Sequence, residues 1–560
     1  MLTAMGQHSW SERTSFRQLA KRSFVLGLLF GGAFSLFCQI QPRLASSSYA
    51  VFTGAPQGLD EYVYFALVRA IWRTGNGLTY SYPFAVFWDA PPIMIQLPLS
   101  AAALAGRLIG LPWAFEFLRI CGTSLTAVAL AYIGYALFRS AAWRNRFVLF
   151  AAFGGAWFTF LGIAEAIKTA GVWGLTELPI YVERALGPLY WWLPFLAQNV
   201  WSPLEAVYHA EVLGAFALLL KGNLRLATGV GLITWFSNPF PASSLYAAAI
   251  PWLGIKALRG SDSERRKATT GLVWWLLSAA AGFGYYGIFL KHWPVLEELT
   301  RMHRVPLAPP PTSSQLIAWF GPFLPPIIWS CFTKSGHKYV WQKNEWLMVM
   351  VIIISQVGFL LQFPFLGVLA TQPYHFNRGY LAVALFALLF RWLYCLNPRK
   401  LSAWALALLI STSFDQGFFF LSRLVNGTET GYVPQEIAEL RETLLGREPN
   451  QLFLCHAFPY SVYFAAFTDN IPFDMPETMV VPWTETRCEL LATVVKNRDD
   501  LSTLGISLAI LAHNDEIANL LCQQKGWHIV KTTQNYSVYE LEAARRRNIP
   551  RLPPPRLTTR

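Results

Sequence analysis

RTSFRQLAKRSFVLGLLFGGAFSLFCQIQP, Arg13–Pro42, begins with four cations (Arg13, Arg17, Lys21 and Arg22) and continues as an apolar run from Phe24 to Ile40. A helix needs roughly 17–25 apolar residues to cross a bilayer, and cations collect on its cytoplasmic flank. The run carries no small-residue cleavage site, so it reads as a retained first span and not as a removed signal peptide. The N-terminus is then cytoplasmic, and the chain emerges on the other side near Pro42.

Composition extends that reading to the whole chain. Of 560 residues, 54% are hydrophobic and only 14% charged, against about 25% charged in an ordinary soluble domain. Aromatics make up 15%, with 23 Trp, which suits belts at the two membrane interfaces. The net charge of +13 does not point to nucleic acid, because Lys and Arg fall in short clusters between apolar runs. Those clusters are Arg139–Arg146, Lys221 with Arg225, Lys256–Lys267, Lys334–Lys343 and Arg399 with Lys400. Placing them all in the cytoplasm requires that Pro92–Gly110, which holds Pro92 and Pro98, lie along or partly within the outer leaflet without crossing. The expected fold is mainly α: a polytopic transmembrane helical bundle of about 11 spans. Juxtamembrane helices occupy the first external loop.

The expected divisions are a cytoplasmic N-terminus (1–23), a transmembrane domain (24–421) with a first external loop at 41–117, an external α/β domain (422–545) and a basic Pro-rich tail (546–560). Further external segments fall at 165–205, 291–313 and 364–378. NQLFLCHAF, LGISLAILAHND and HIVKTTQNYSVYEL read as short strands, alternating with helices near 435–446 and 514–525. The seven Cys form no CxxC pair; Cys455, Cys488 and Cys522 would allow one disulfide in the external domain. Sequons at Asn426 and Asn535 are short matches that do not establish a eukaryotic lumen. The expected location is the cell inner (cytoplasmic) membrane, with the chemistry facing the periplasm or exterior.

Chemistry-bearing residues concentrate outside. In GLDEYVYFALVRAIWRTGNG, Tyr64, Leu67, Val68 and Ile71 have helical spacing, which puts Asp60 and Glu61 at a helix start. Acidic residues there cap the helix and offset its dipole. A carboxylate at headgroup depth can also act as general base toward a hydroxyl. Later external segments carry cations: Arg301, His303 and Arg304 in one, and Tyr374, His375 and Arg378 of TQPYHFNRGY in another. Asp89 and Glu165 are further external acids. His209 with Glu205 or Glu211 has donor types for a divalent metal, but suits an internal hydrogen-bond network better. Outside, no DxD-like nucleotide-sugar motif occurs, and the chain has no P-loop.

Together, an Asp-Glu pair soon after the first span, an amphipathic helix ending in GNG, and FWDAPPIMIQLPLSAAALAGRLIGLPWAFEFLRI with Arg119 at the head of the next span resemble the integral-membrane glycosyltransferases of the GT-C class. The element order is similar along most of the chain, whereas the sharp motifs lie within about residues 58–120. The likeness is to the polyprenyl-phosphate-dependent aminoarabinose and mannosyl transferase type. It implies a lipid-linked sugar donor, a glycan, lipid or protein acceptor, and Asp60 with Glu61 as the catalytic carboxylates. Arg378, His375, Arg301, His303 and Arg304 are then candidates for the donor phosphate, and Tyr64, Asp89, Glu165 and Tyr374 for the substrates. The class often has a second acid after the third span; Glu165 comes nearest, and no Asp matches. The competing reading is a lipid or glycolipid transporter or flippase without bond chemistry, and a third is a scaffold whose external domain binds. No internal repeat of 58–110 occurs to favour a carrier.

Overall fold

A computed structural model describes the chain except residues 1–9, 46–49, 57, 87–90, 187–198, 200–201, 303–310, 366–378, 397–402, 427–430, 446, 448–450, 458–459, 469, 474–483 and 543–560. It is mainly helical, with a small strand-rich C-terminal region. The chain divides into two compact units. One comprises residues 1–36, 115–287 and 304–426; the other comprises 37–114, 288–303 and 427–560.

The first unit is helical. Among the described residues of the chain, five helices are long and apolar enough to cross a membrane, or up to seven if each of two bent pairs forms one span. At the centre is Tyr380–Leu396, in which every residue from Tyr380 to Arg391 is buried. A helix apolar all round needs neighbours all round, and the helices Ala141–Phe153, Leu324–Phe332 and Asn344–Phe365 supply them. Its far end holds Arg391, whose guanidinium lies 4.8 Å from the Tyr339 ring and 5.4 Å from the Trp346 ring. Arg119 is fully buried and forks onto Glu116 at 2.7 and 3.2 Å, a bidentate pairing that keeps both charges compensated away from water.

The apolar stretch that follows Arg146 is broken. Ala141–Phe153 and Phe158–Ala170 are separate helices, bent by 40° at the junction. A Cβ on Gly154 would come within 2.2 Å of the Phe386 ring, and one on Gly155 within 2.6 Å of the Asp415 Cβ, so only glycines admit these neighbours. Asp415 then caps the second helix from far along the chain. Its carboxylate accepts from the backbone N–H of Ala156 (2.7 Å), Phe158 (3.1 Å) and Thr159 (2.7 Å) and from the Thr159 hydroxyl (2.7 Å). These are the groups a helix start leaves without partners.

Among the described residues, the second unit contains nine strands: β1 Ala50–Phe52, β2 Thr79–Tyr80, β3 Met94–Ile95, β4 Tyr432–Pro434, β5 Leu452–Cys455, β6 Ile471–Pro472, β7 Ile506–Ala512, β8 Trp527–Thr532 and β9 Tyr536–Leu541. The main sheet has the order β6-β5-β7-β9-β8, with β5 parallel to β6 and β7, and β9 antiparallel to β7 and β8. The strands expected from sequence are β5, β7, β8 and β9, and the two expected helices are Gln435–Leu444 and Glu516–Gln523. The seven cysteines are all free, so the expected disulfide does not form: Cys455 lies buried on β5, whereas Cys488 and Cys522 are exposed on different helices. Leu97–Ile109, with 13 residues, is about 20 Å long, short of the ~30 Å hydrocarbon core.

Replacing Asp415 with Ala strands three backbone donors and one hydroxyl. The expected loss is about 3 kcal/mol, read as a fall in the melting temperature of the purified protein in detergent. Asp415→Asn keeps one acceptor oxygen and loses about half as much.

Candidate active site

Within the second unit, the sequence TGAPQGLDE turns the chain from β1 into the helix Leu59–Thr74. Gly54 and Gly58 both sit at positive φ, 87° and 62°. At Gly54 a Cβ would also meet the Pro112 ring at 2.6 Å, so the turn depends on glycine there. The Gly54 carbonyl accepts from the Gln39 side chain at 3.0 Å. Gly58 provides no capping side chain, and Asp60 and Glu61 in the first turn answer the exposed N–H groups and the positive end of the dipole. The helix ends at Gly75, in the left-handed conformation at φ 72°.

The two adjacent carboxylates differ in environment. Asp60 is exposed, whereas Glu61 is 1% exposed. From Tyr62 onward most of the helix is buried, including Phe65, Leu67, Val68 and Ile71, with Tyr64 half-buried one turn beyond Asp60. An amphipathic helix lying on lipid was the expectation; here the apolar residues find their partners in protein. Tyr62 packs edge-on against Tyr463 and Phe467 at centroid distances of 5.6 and 6.0 Å, and Phe65 against Phe467 at 5.8 Å. Both partners belong to the short helix Ser461–Phe467. On another side, the Trp72 indole donates to the Ala103 carbonyl at 2.7 Å.

Further ties hold this mount to the C-terminal strands. β1 pairs antiparallel with β4, and the Thr53 N–H and hydroxyl both donate to the Gly431 carbonyl, at 3.1 and 3.0 Å. The Thr53 and Tyr62 hydroxyls lie 3.1 Å apart. Burial pushes the Tyr62 phenol well above its ordinary range, and the bond with Thr53 opposes this in part, so Tyr62 stays neutral and structural. Tyr432 donates to the Pro42 carbonyl at 2.7 Å. Arg487, fully buried, donates to the Phe84 carbonyl at 2.7 Å and the Phe473 carbonyl at 2.9 Å, joining the segment that precedes β3 to the C-terminal sheet.

Among the other expected site residues, Glu165 is half-buried on Phe158–Ala170 in the first unit. Arg301 belongs to the helix Pro294–Met302, with its side chain outside the described residues. Asp89, His303, Arg304, Tyr374, His375 and Arg378 also lie outside them. His209 is buried, bonds through Nδ1 to the Asn199 side chain, and meets the Tyr380 ring edge-on at 5.4 Å, while Glu211 accepts from the Ser237 hydroxyl at 2.7 Å. Among the described residues, no group of three or more His, Cys, Asp or Glu side chains is arranged to hold a metal. Sequence reasoning missed Tyr463, Phe467 and Arg487. Their partners lie hundreds of residues away, and a seven-residue helix is too short for its periodicity to show.

No family model and no curated protein matches the chain. Solved structures similar to it include ArnT from Cupriavidus metallidurans bound to undecaprenyl phosphate, at 11% identity and a TM-score of 0.47, over 92% of this chain and 97% of that one. The Archaeoglobus fulgidus oligosaccharyltransferase in the apo form is similar at 11% identity and a TM-score of 0.43, over 87% and 69%. Archaeal oligosaccharyltransferase AglB from the same organism, with an inhibitory peptide and a dolichol-phosphate, is similar at 12% identity and a TM-score of 0.42, over 93% and 74%. At these identities the likeness is one of chain course alone.

Phe467→Ala removes the ring shared by Tyr62 and Phe65. The expected cost is about 2 kcal/mol for this partly exposed position, with faster proteolysis within residues 41–117 as the readout.

Proposed function

We propose that the chain is a membrane glycosyltransferase that moves a sugar from a polyprenyl-phosphate donor to an acceptor hydroxyl on the non-cytoplasmic face. The observation that carries this reading is the split pair. Asp60 is exposed at the start of a helix that is otherwise held on several sides, while Glu61 beside it is buried. An exposed carboxylate on a firm mount suits a general base, which must meet the acceptor's proton in a fixed geometry. The motif resemblance of residues 58–120 supports the same assignment. The several apolar helices support a lipid-borne substrate. Short apolar helices such as Tyr380–Leu396 add to the long ones in the proposed topology of about 11 spans, in the inner membrane.

In the proposed reaction Asp60 takes the acceptor hydroxyl proton as that oxygen attacks the anomeric carbon. The bond from that carbon to the phosphate oxygen breaks, and the lipid phosphate leaves with inversion. Arg378 pairs with the phosphate, assisted by His375, Arg301, His303 or Arg304. Tyr64, Asp89, Glu165 and Tyr374 contribute to substrate binding. Glu61, buried in the same turn, acts with Asp60 as the second carboxylate of the pair. The acceptor is a glycan, lipid or protein.

Incubation of the purified protein with a labelled polyprenyl-phosphate sugar should release lipid phosphate and transfer the label. Movement of the intact donor without bond cleavage would instead identify a carrier. Asp60→Asn lowers transfer by about 100- to 10,000-fold while melting behaviour stays unchanged; full transfer by this variant would remove the assigned base. Arg378→Ala weakens donor binding by about 10- to 100-fold, and unaltered donor affinity would refute the phosphate role.

A further inference from the structure

The helices Leu224–Ser237 and Asp262–Phe283 of the first unit pack side by side, and the Leu224 side chain meets Gly271. Beside this contact runs an open groove of about 930 Å³, at the upper end of the range of ordinary ligand pockets. Its two ends differ chemically. Arg225, Arg266 and Lys267 stand at one end, all exposed, while Leu232, Trp274 and Leu277 line the wall farther along. The nearby acids are Asp262 and Glu264, the latter accepting from the Ser261 N–H at 3.2 Å and hydroxyl at 2.9 Å; Arg225, Arg265, Arg266 and Lys267 outnumber them, so the end stays cationic.

The surroundings also argue for an amphiphile. The span that includes Asp262–Phe283 has only 17% of its most apolar stretch buried in protein, against 39–67% for the other four long spans. Val273, Trp274, Leu276 and Leu277 are 48–57% exposed along it. In a bilayer such a surface is covered by acyl chains, and cations at its polar end attract anionic headgroups.

We infer that this groove is a specific site for one anionic glycerophospholipid. Its phosphate sits among Arg225, Arg266 and Lys267, and an acyl chain lies along Leu232, Trp274 and Leu277. Charge complementarity selects the occupant: the cationic end takes an anion, and the apolar wall gives a free phosphate nothing to bind. The site shares no residue with the proposed active site and does not depend on the proposed transfer.

Native mass spectrometry of the full-length protein, titrated with phosphatidylglycerol or phosphatidylcholine, tests the assignment. The wild type should retain one phosphatidylglycerol per chain, with about tenfold or greater preference over phosphatidylcholine. The triple variant Arg225→Ala, Arg266→Ala, Lys267→Ala should bind phosphatidylglycerol roughly a hundredfold more weakly, the product of about fivefold per cation, while phosphatidylcholine binding is unchanged. Gly229→Trp should abolish retention of both lipids with every cation in place; Gly229 lines the groove, and a Cβ there meets nothing within 4 Å. Equal retention of the two lipids by the wild type, or an unaltered triple variant, would overturn the site. Displacement by equimolar polyprenyl phosphate would assign the groove to the donor and overturn it too, as would competition by inorganic phosphate.

Discussion

The pairing of β1 with β4 joins stretches separated by about 378 residues, at the bonds from Thr53 to Gly431. Two three-residue strands do not hold together alone. They persist because the same neighbourhood supplies the Tyr62 and Phe65 rings against Phe467 and the Arg487 bridge to the Phe84 carbonyl. Residues 37–114 and the C-terminal sheet are therefore parts of one compact unit. The orientation of Asp60 follows from that unit as a whole and not from the helix that carries it.

The first unit solves a comparable problem with charge. Asp415 gives its carboxylate to the start of a helix more than 250 residues earlier in the chain, where an unpaired donor would be costly away from water. Arg119 and Glu116 satisfy each other within one turn of helix. In both cases a buried charge is tolerated because its hydrogen-bonding capacity is filled by fixed neighbours. Such groups specify which helices meet, a role that apolar contacts between similar helices perform poorly.

What was legible in the sequence was local. The helix starting at Asp60 and ending at GNG, the strands β5, β7, β8 and β9, and the apolar character of the long helices all follow from periodicity and glycine position. The break at Gly154 and Gly155 was not legible, since a pair of glycines within an apolar run is compatible with a continuous helix until Phe386 and Asp415 arrive. The opposite fates of Asp60 and Glu61 were equally hidden. Their placement depends on the helix Ser461–Phe467, whose residues carry no pattern that announces their partner. The cation candidates of the 291–313 and 364–378 segments remain assignments from residue type and order.

The distance along the chain between Thr53 and Gly431 has a consequence for biogenesis. At 5–20 residues per second, a ribosome takes on the order of 20–75 s to make the intervening chain. Throughout that interval the backbone edge of Ala50–Phe52 has no mate, and the rings of Tyr62 and Phe65 have not met Phe467. The newborn loop must be shielded from aggregation while the remaining helices are synthesised. A transcript truncated just before Gly431 would encode every long apolar helix found among the described residues and still yield a protein unable to seat the segment around Ala50–Phe52.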